Sequence, residues 1–320
     1  MLGRLTQNDV TNQVNVEEPA AVLAAIRTAF EQRYPGESFE VLDRVFNDVL
    51  RLFSGRMPGY LPCDTLYHDM RHTLDVTLAI ARLIDGHDRV HSGADRLGGA
   101  RARLGVITAL LHDSGYIRRR GDTRHRHGAE YTRVHVSRSA EFLKRYLPQI
   151  GLGTGASTAA RLVHFTGYEI AIDDIVLDNP LDRRLGHMLG SADLIAQMSD
   201  RLYLEKCRDY LYDEFVMAGL AQEQLPDGTV RVNFSSPEDL LLKTPAFHDT
   251  VVAERLELSF DRVHNYAAAH FDGSNPYLEQ MGQHLSYLNR VIEDGELDRL
   301  RRRSISLSHP SSPEPDEMAA

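Results

Sequence analysis

The sequence predicts an all-α protein, and three observations carry that reading. Apolar residues recur at the 3.6-residue period of a helix along most of the chain, convincing period-2 alternation hardly appears, and several segments open on helix-start signals. With 42% hydrophobic and 26% charged residues, the composition is that of an ordinary globular protein able to bury a sizeable core without staples. Helices are predicted over residues 17–34, 38–54, 66–85, 97–114, 127–147, 156–167, 181–198, 200–223, 237–270 with breaks, and 276–293. Ser236-Pro237-Glu238-Asp239 places a capping hydroxyl before a proline and two acids, and Asn275-Pro276 does the same with an amide. Leu225 to Ser236 carries an Asp-Gly turn and a short alternation, consistent with a small hairpin or a long loop.

The organisation expected from these elements is a disordered tail over 1–16, a helical core over 17–224, a C-terminal helical extension over 225–295, and a second disordered tail over 296–320. Both tails are polar and unpatterned, the second rich in Ser, Pro and charge. Lys plus Arg number 36 against 46 Asp plus Glu, a formal charge of −10, which argues against coating nucleic acid or an anionic membrane. Neither a signal-peptide core nor a membrane-spanning apolar run is expected. Cys63 and Cys207 match no paired metal or redox spacing, so free thiols and a cytoplasmic setting are expected.

Chemistry concentrates in the histidines. Tyr67-His68-Asp69-Met70-Arg71-His72 puts two imidazoles four residues apart, which on a helix means one face, with Asp75 one turn further. His112-Asp113 closes the apolar run that ends in Leu110-Leu111. An ionised carboxylate delivered there must be paired or metal-bound. His135, His164 and Asp193 each lie within apolar helical contexts. Together they supply the imidazole and carboxylate donors from which a helical bundle builds a metal site in its core. Such a nitrogen and oxygen set suits Fe, Mn, Zn, Co or Ni.

The ordered set His72, His112-Asp113, Asp193 resembles the signature of the HD-domain superfamily of metal-dependent phosphohydrolases, over about residues 60 to 215. The stretch from Tyr67 through Val76 looks like the double-histidine motif of the cyclic nucleotide phosphodiesterases. The helix led by His135 resembles that of the HD-GYP subgroup, with His164 where that subgroup has its next histidine. The resemblance implies an HD-type bundle, a metal-ligand set of His72, His112, Asp113, His135, His164 and Asp193, and His68 as general acid. It also implies two divalent transition ions bridged by Asp113, with Mg possible at the second site. Asp69 stands where the phosphodiesterases have Asn, Tyr116 replaces the later His or Lys of the two subgroups, and Phe165 follows His164 in place of a second histidine. Neither subgroup's substrate is therefore carried over. His125, His127 and Glu130 compete with His135 as ligand.

The implied activity is hydrolysis of a phosphodiester or nucleotide phosphoester by a metal-activated hydroxide. An HD-type diiron oxygenase and a catalytically silent metal-binding module are the alternatives. Arg118, Arg119, Arg120, Arg124 and Arg126, directly after the His-Asp pair, are candidates for binding substrate phosphate, since guanidinium forks match its oxygens. Tyr203, Tyr210, Tyr212 and Phe215 could line a base pocket or simply pack in the core.

Overall fold

The computed structural model describes residues 4–225 and 227–301, and among these the protein is an all-α bundle with one two-stranded hairpin. The long helix α3 (Met70–Val90) runs through the middle and is buried on nearly all sides. Against it pack α1 (Pro19–Arg33), α4 (Gly98–Leu111) and α7 (Pro180–Ser199), while α2 (Glu40–Phe53) packs on α4, and α5 (His135–Gln149) and α6 (Ala156–Leu162) pack on each other and on α4.

Capping and steric choices fix these helices where the chemistry needs them. Asp69 Oδ1 accepts from His72 N at 2.9 Å and starts α3 at Met70, so His68 precedes the helix instead of sharing its face as expected. Asn would cap equally well at this position. At Gly115 a Cβ would sit 1.8 Å from the His135 carbonyl oxygen, so only glycine lets the start of α5 lie against the turn after α4. Gly115 N also donates to Ser139 Oγ at 2.8 Å.

After α7 a bent helix runs through α8 (Tyr203–Lys206), a wide π-wound turn (Cys207–Leu211) and α9 (Tyr212–Met217). It ends six residues short of the expected 223, because Gln222–Gln224 leaves it to pair antiparallel with Val230–Val232 across the Asp227-Gly228 turn. The extension comprises α10 (Pro237–Thr250), a π-wound continuation (Val251–Ser259), α11 (Tyr266–His270) and α12 (Pro276–Glu293). Both expected caps form, at Ser236 and Asn275. At Gly86 a Cβ would fall 1.8 Å from Tyr266 O, so α11 packs directly on α3. Leu256, Phe260, Ala267 and Leu288 join the same core as Leu74 and Leu83.

Both tails need correction. Residues 4–16 are packed: Asn8 pairs with Asn15 in an isolated bridge, Val16 is buried, and Asp9 is ion-paired with Arg82 of α3. Buried Arg71 likewise donates to Thr6 O and to Glu17 Oε1 at 2.6 Å. A polar segment orders here because buried guanidiniums of α3 require acceptors, a demand invisible in the segment's own composition. At the other end Leu300 is buried and its carbonyl accepts from Arg208 Nη1 at 2.6 Å. The rest of the expected C-terminal tail, residues 302–320, lies outside the described residues. Among the described residues no helix is long and apolar enough to cross a membrane.

Candidate metal centre

Three helices deliver four side chains to one point. His72 comes from the first turn of α3, His112 and Asp113 from the end of α4, and Asp193 from the middle of α7. The Nε2 atoms of His72 and His112 are 3.3 Å apart. Asp113 Oδ2 lies 3.4 Å from the first and 3.2 Å from the second, and Asp193 Oδ1 lies 3.2 Å and 3.9 Å from them. All four residues are buried.

The hydrogen bonds fix the tautomers. His112 Nδ1 is 2.7 Å from the carbonyl oxygen of Ala109, which can only accept, so Nδ1 carries the proton and neutral His112 presents a lone pair at Nε2. His135, first residue of α5, is held the same way by Thr132 O at 2.7 Å, and its Nε2 lies 3.8 Å from Asp113 Oδ1. Lone pairs thus converge on a carboxylate, and buried Asp113 Oδ2 has no hydrogen-bond partner.

Such an arrangement demands positive charge. Burial opposes ionisation of His112, but the adjacent Asp113 carboxylate outweighs it and pushes the imidazole up to about 9. Asp113 shows the converse: against burial, His112 and then His68 and His72 hold it well below the usual carboxylate range. A proton on His112 and a metal cation are alternative ways of neutralising these same acids. His72, His112 and Asp113 each offer a ligand atom within 4.8 Å of the others, so this buried group could hold a metal ion. The orphaned Asp113 oxygen and the thiolate-free donors fit that role.

No protein-family model, curated protein or solved structure matches the chain. The site is therefore read from its own geometry.

Beside the metal-ligand group, His68 Nδ1 lies 2.6 Å from Glu214 Oε2, and the other Glu214 oxygen accepts from Tyr67 N at 2.7 Å. Burial disfavours the His68 imidazolium, yet Glu214 raises it above the ordinary histidine value. The Tyr116 ring stacks between the rings of His68 and His135, at centroid distances of 4.6 and 4.3 Å. Tyr116 thus acts as a spacer between the two imidazoles. Sequence reasoning missed Glu214. The only signal for it was an acid within the apolar pattern around Phe215, and the π-wound turn just before it is of a kind that often marks a functional position.

The other expected site residues fall elsewhere. His164, in the turn after α6, has Glu169 and Lys144 as its charged neighbours and no contact with the Asp113 group among the described residues. His127 and Glu130 cap a short turn of their own, and His125 pairs with Asp122, so none of the three displaces His135. In the arginine loop, Arg118 is spent on Asp64 at 2.8 Å and Arg120 on Gly55 O, while Arg124 and Arg126 are exposed. Arg119 is zipped by backbone to Tyr60. Tyr203 is core, and Tyr210, Tyr212 and Phe215 pack partly buried against it. Asp75 lines a small cavity with His72 and Asp200, and Asp200 is the charge that acts on it most strongly. Burial and that neighbouring charge push its carboxyl up to about 7, whereas Asp200 is held down by Arg71 and Lys206.

Proposed function

We propose that the protein is a metal-dependent phosphohydrolase of the HD type acting on a phosphodiester or nucleotide phosphoester. The observation that carries this reading is the juxtaposition of a buried His72–His112–Asp113–Asp193 group, whose Asp113 oxygen lacks any other partner, with a separate His68–Glu214 pair. His72, His112, Asp113 and Asp193 would hold one divalent ion of the Mn, Fe, Co, Ni or Zn class, and His135 with the other Asp113 oxygen would help to hold a second. A bound cation acidifies water toward neutral pH and polarises a phosphoryl oxygen.

The protein's own groups do the rest. Glu214 accepts from His68 Nδ1 and favours the imidazolium, so His68 Nε2–H can protonate the leaving alkoxide as its bond to phosphorus breaks. Tyr116 keeps the His68 ring in place by stacking. That the buried Cys63 and Cys207 form no disulfide supports a reducing, cytoplasmic setting. The test is metal analysis of the purified protein, followed by a phosphate-release screen over cyclic mononucleotides, cyclic dinucleotides and nucleoside phosphates. Turnover that depends on a transition metal and vanishes in the Asp113→Asn variant supports the reading. A fully metal-loaded protein without turnover on the whole panel contradicts it.

A further inference from the structure

A groove of about 440 Å³ lies between α2, the 57–60 turn and the C-terminal half of α5, within the size range of small-molecule sites. Its wall carries Arg44, Arg51 and Arg145 together with Tyr60, Phe142 and Tyr146. In a chain whose acids outnumber its bases by 46 to 36, this patch reverses the sign.

The positive charge is poorly matched. Arg44 is exposed and has no carboxylate partner among the described residues. Among the described residues the one carboxylate paired with Arg145 is Glu141, at 3.4 Å and with both side chains open to solvent, a weak contact. Asp48 is shared between Arg51 at 3.2 Å and the Tyr146 hydroxyl at 2.8 Å. Further bases approach from the side: the backbone bridge from Tyr60 brings in Arg119, and Arg138 of α5 feels both Arg119 and Arg145. Burial first, then that repulsion, lowers the Arg138 pKa.

The aromatic side chains give the groove a second recognition element. Tyr60 and Phe142 meet edge to face at 5.8 Å, and Phe142 and Tyr146 stack at 5.6 Å, with Met57 and Pro58 extending the apolar wall. Phe142 and Tyr146 lie seven and eleven residues along α5 from His135, about 10 and 16 Å down the helix axis. The groove therefore stands apart from the metal-ligand group.

An anion alone would need the guanidiniums, and an apolar ligand alone would need the rings. A planar base on a phosphate tail uses both. We propose that this groove is a second ligand site, specific for a nucleoside phosphate and distinct from the metal centre. The arginines grip the phosphates, and Tyr60 with the neighbouring apolar wall receives the base.

The experiment is isothermal titration of ATP, GTP and inorganic tripolyphosphate into the full chain at low ionic strength with EDTA present, so that metal-dependent binding is suppressed. One nucleotide should bind at one site per chain, at least about 10-fold more tightly than tripolyphosphate. The doubly substituted Arg44→Glu, Arg145→Glu protein changes exposed side chains only, and should lose at least about 10-fold in affinity while keeping its circular dichroism and melting temperature. Asp113→Asn should bind as the wild type does. Absence of binding, binding insensitive to the double charge reversal, tripolyphosphate binding as tightly as nucleotide, or loss of binding in Asp113→Asn would each overturn the proposal. None of these outcomes depends on phosphate release, so they stand apart from failure of the phosphohydrolase reading.

Discussion

The two ends of α3 carry clusters of nearly the same composition and opposite character. At the N-terminal end His72 meets His112, Asp113 and Asp193, and the lone pairs face one another around an acid oxygen with no hydrogen bond. About 20 Å along the helix, Asp85, His87 and Asp88 form an equally buried group in which each acid oxygen is answered. Asp85 accepts from Arg33 and Arg89 at 2.8 Å and from His270 at 2.7 Å. Asp88 accepts from His87 at 2.7 Å, Tyr34 Oη at 2.8 Å, and the backbone N–H groups of Leu97 and Gly98. Half-buried His91 stacks its ring on that of His87 at 4.0 Å and donates from Nδ1 to the His87 carbonyl oxygen at 2.8 Å. Histidine and aspartate at helical spacing thus make a structural clasp when donors are supplied from the protein. They make a candidate cation site when the donors are withheld. What separates the two is the hydrogen-bond inventory, and composition alone does not reveal it.

Substitutions at the two ends should therefore fail in different ways. The largest effect is expected for Asp113→Asn, which keeps the shape and removes the charge facing His72 and His112. Activity should be abolished and metal content should fall while the circular dichroism stays helical; an active variant with wild-type metal stoichiometry would erase the distinction between the clusters. Next comes His68→Ala, expected to retain metal and lose turnover by roughly 10²- to 10⁴-fold, the range for a missing general acid. That loss should shrink on a nitrophenyl phosphodiester, whose leaving group departs without a proton, and equal losses on good and poor leaving groups would reduce His68 to a packing residue.

At the clasp end the effect moves to stability. Against the opposing influence of burial, hydrogen bonds from His87 and the Gly98 and Leu97 amides lower the Asp88 pKa to about 2. A depressed carboxylate contributes stability that is fully present above its unfolded value near 4 and is lost as pH falls from there toward 2. Asp88→Asn should accordingly cost about 2 kcal/mol at pH 7 and flatten the acid limb of the unfolding curve, with metal content untouched. A metal-depleted Asp88→Asn protein would show that the two clusters are coupled after all. Asp75, whose raised carboxyl works in the opposite sense, completes the series. Stability is lost as pH rises from about 4 to about 7, so Asp75→Asn should stabilise the protein at pH 8 and change nothing measurable at pH 4. Thermal melts at the two pH values would check this, and equal shifts at both would refute it.

Much of the fold and a good part of the site were legible in the sequence, because they rest on local signals. The proline-led starts at Pro237 and Pro276 and the apolar run that ends at His112 are written in consecutive residues. His72, the candidate ligand on α3, is placed by Asp69 within three residues. What could not be read depends on partners far along the chain. Glu214 reaches His68 across 146 positions, and Asp9 and Thr6 are ordered by arginines of α3. His164 matched its expected place in the resemblance, yet the turn it occupies packs beside α5 and α7 without bringing its ring to Asp113. In the arginine loop, a solvated surface and a phosphate-binding mouth are both compatible with the sequence, because the acid that pairs with Arg118, Asp64, lies 54 residues earlier.

We propose that the convergence at Asp113 is built for a cation. Equilibrium dialysis of chelator-stripped protein against Mn²⁺ and Zn²⁺, comparing wild type with His72→Ala and with His87→Ala, tests this most directly. We expect at least one tightly held ion per wild-type chain, its loss in His72→Ala, and full retention in His87→Ala. Wild-type protein that holds no ion after stripping and reloading, or His72→Ala protein that binds as well as wild type, would contradict the account.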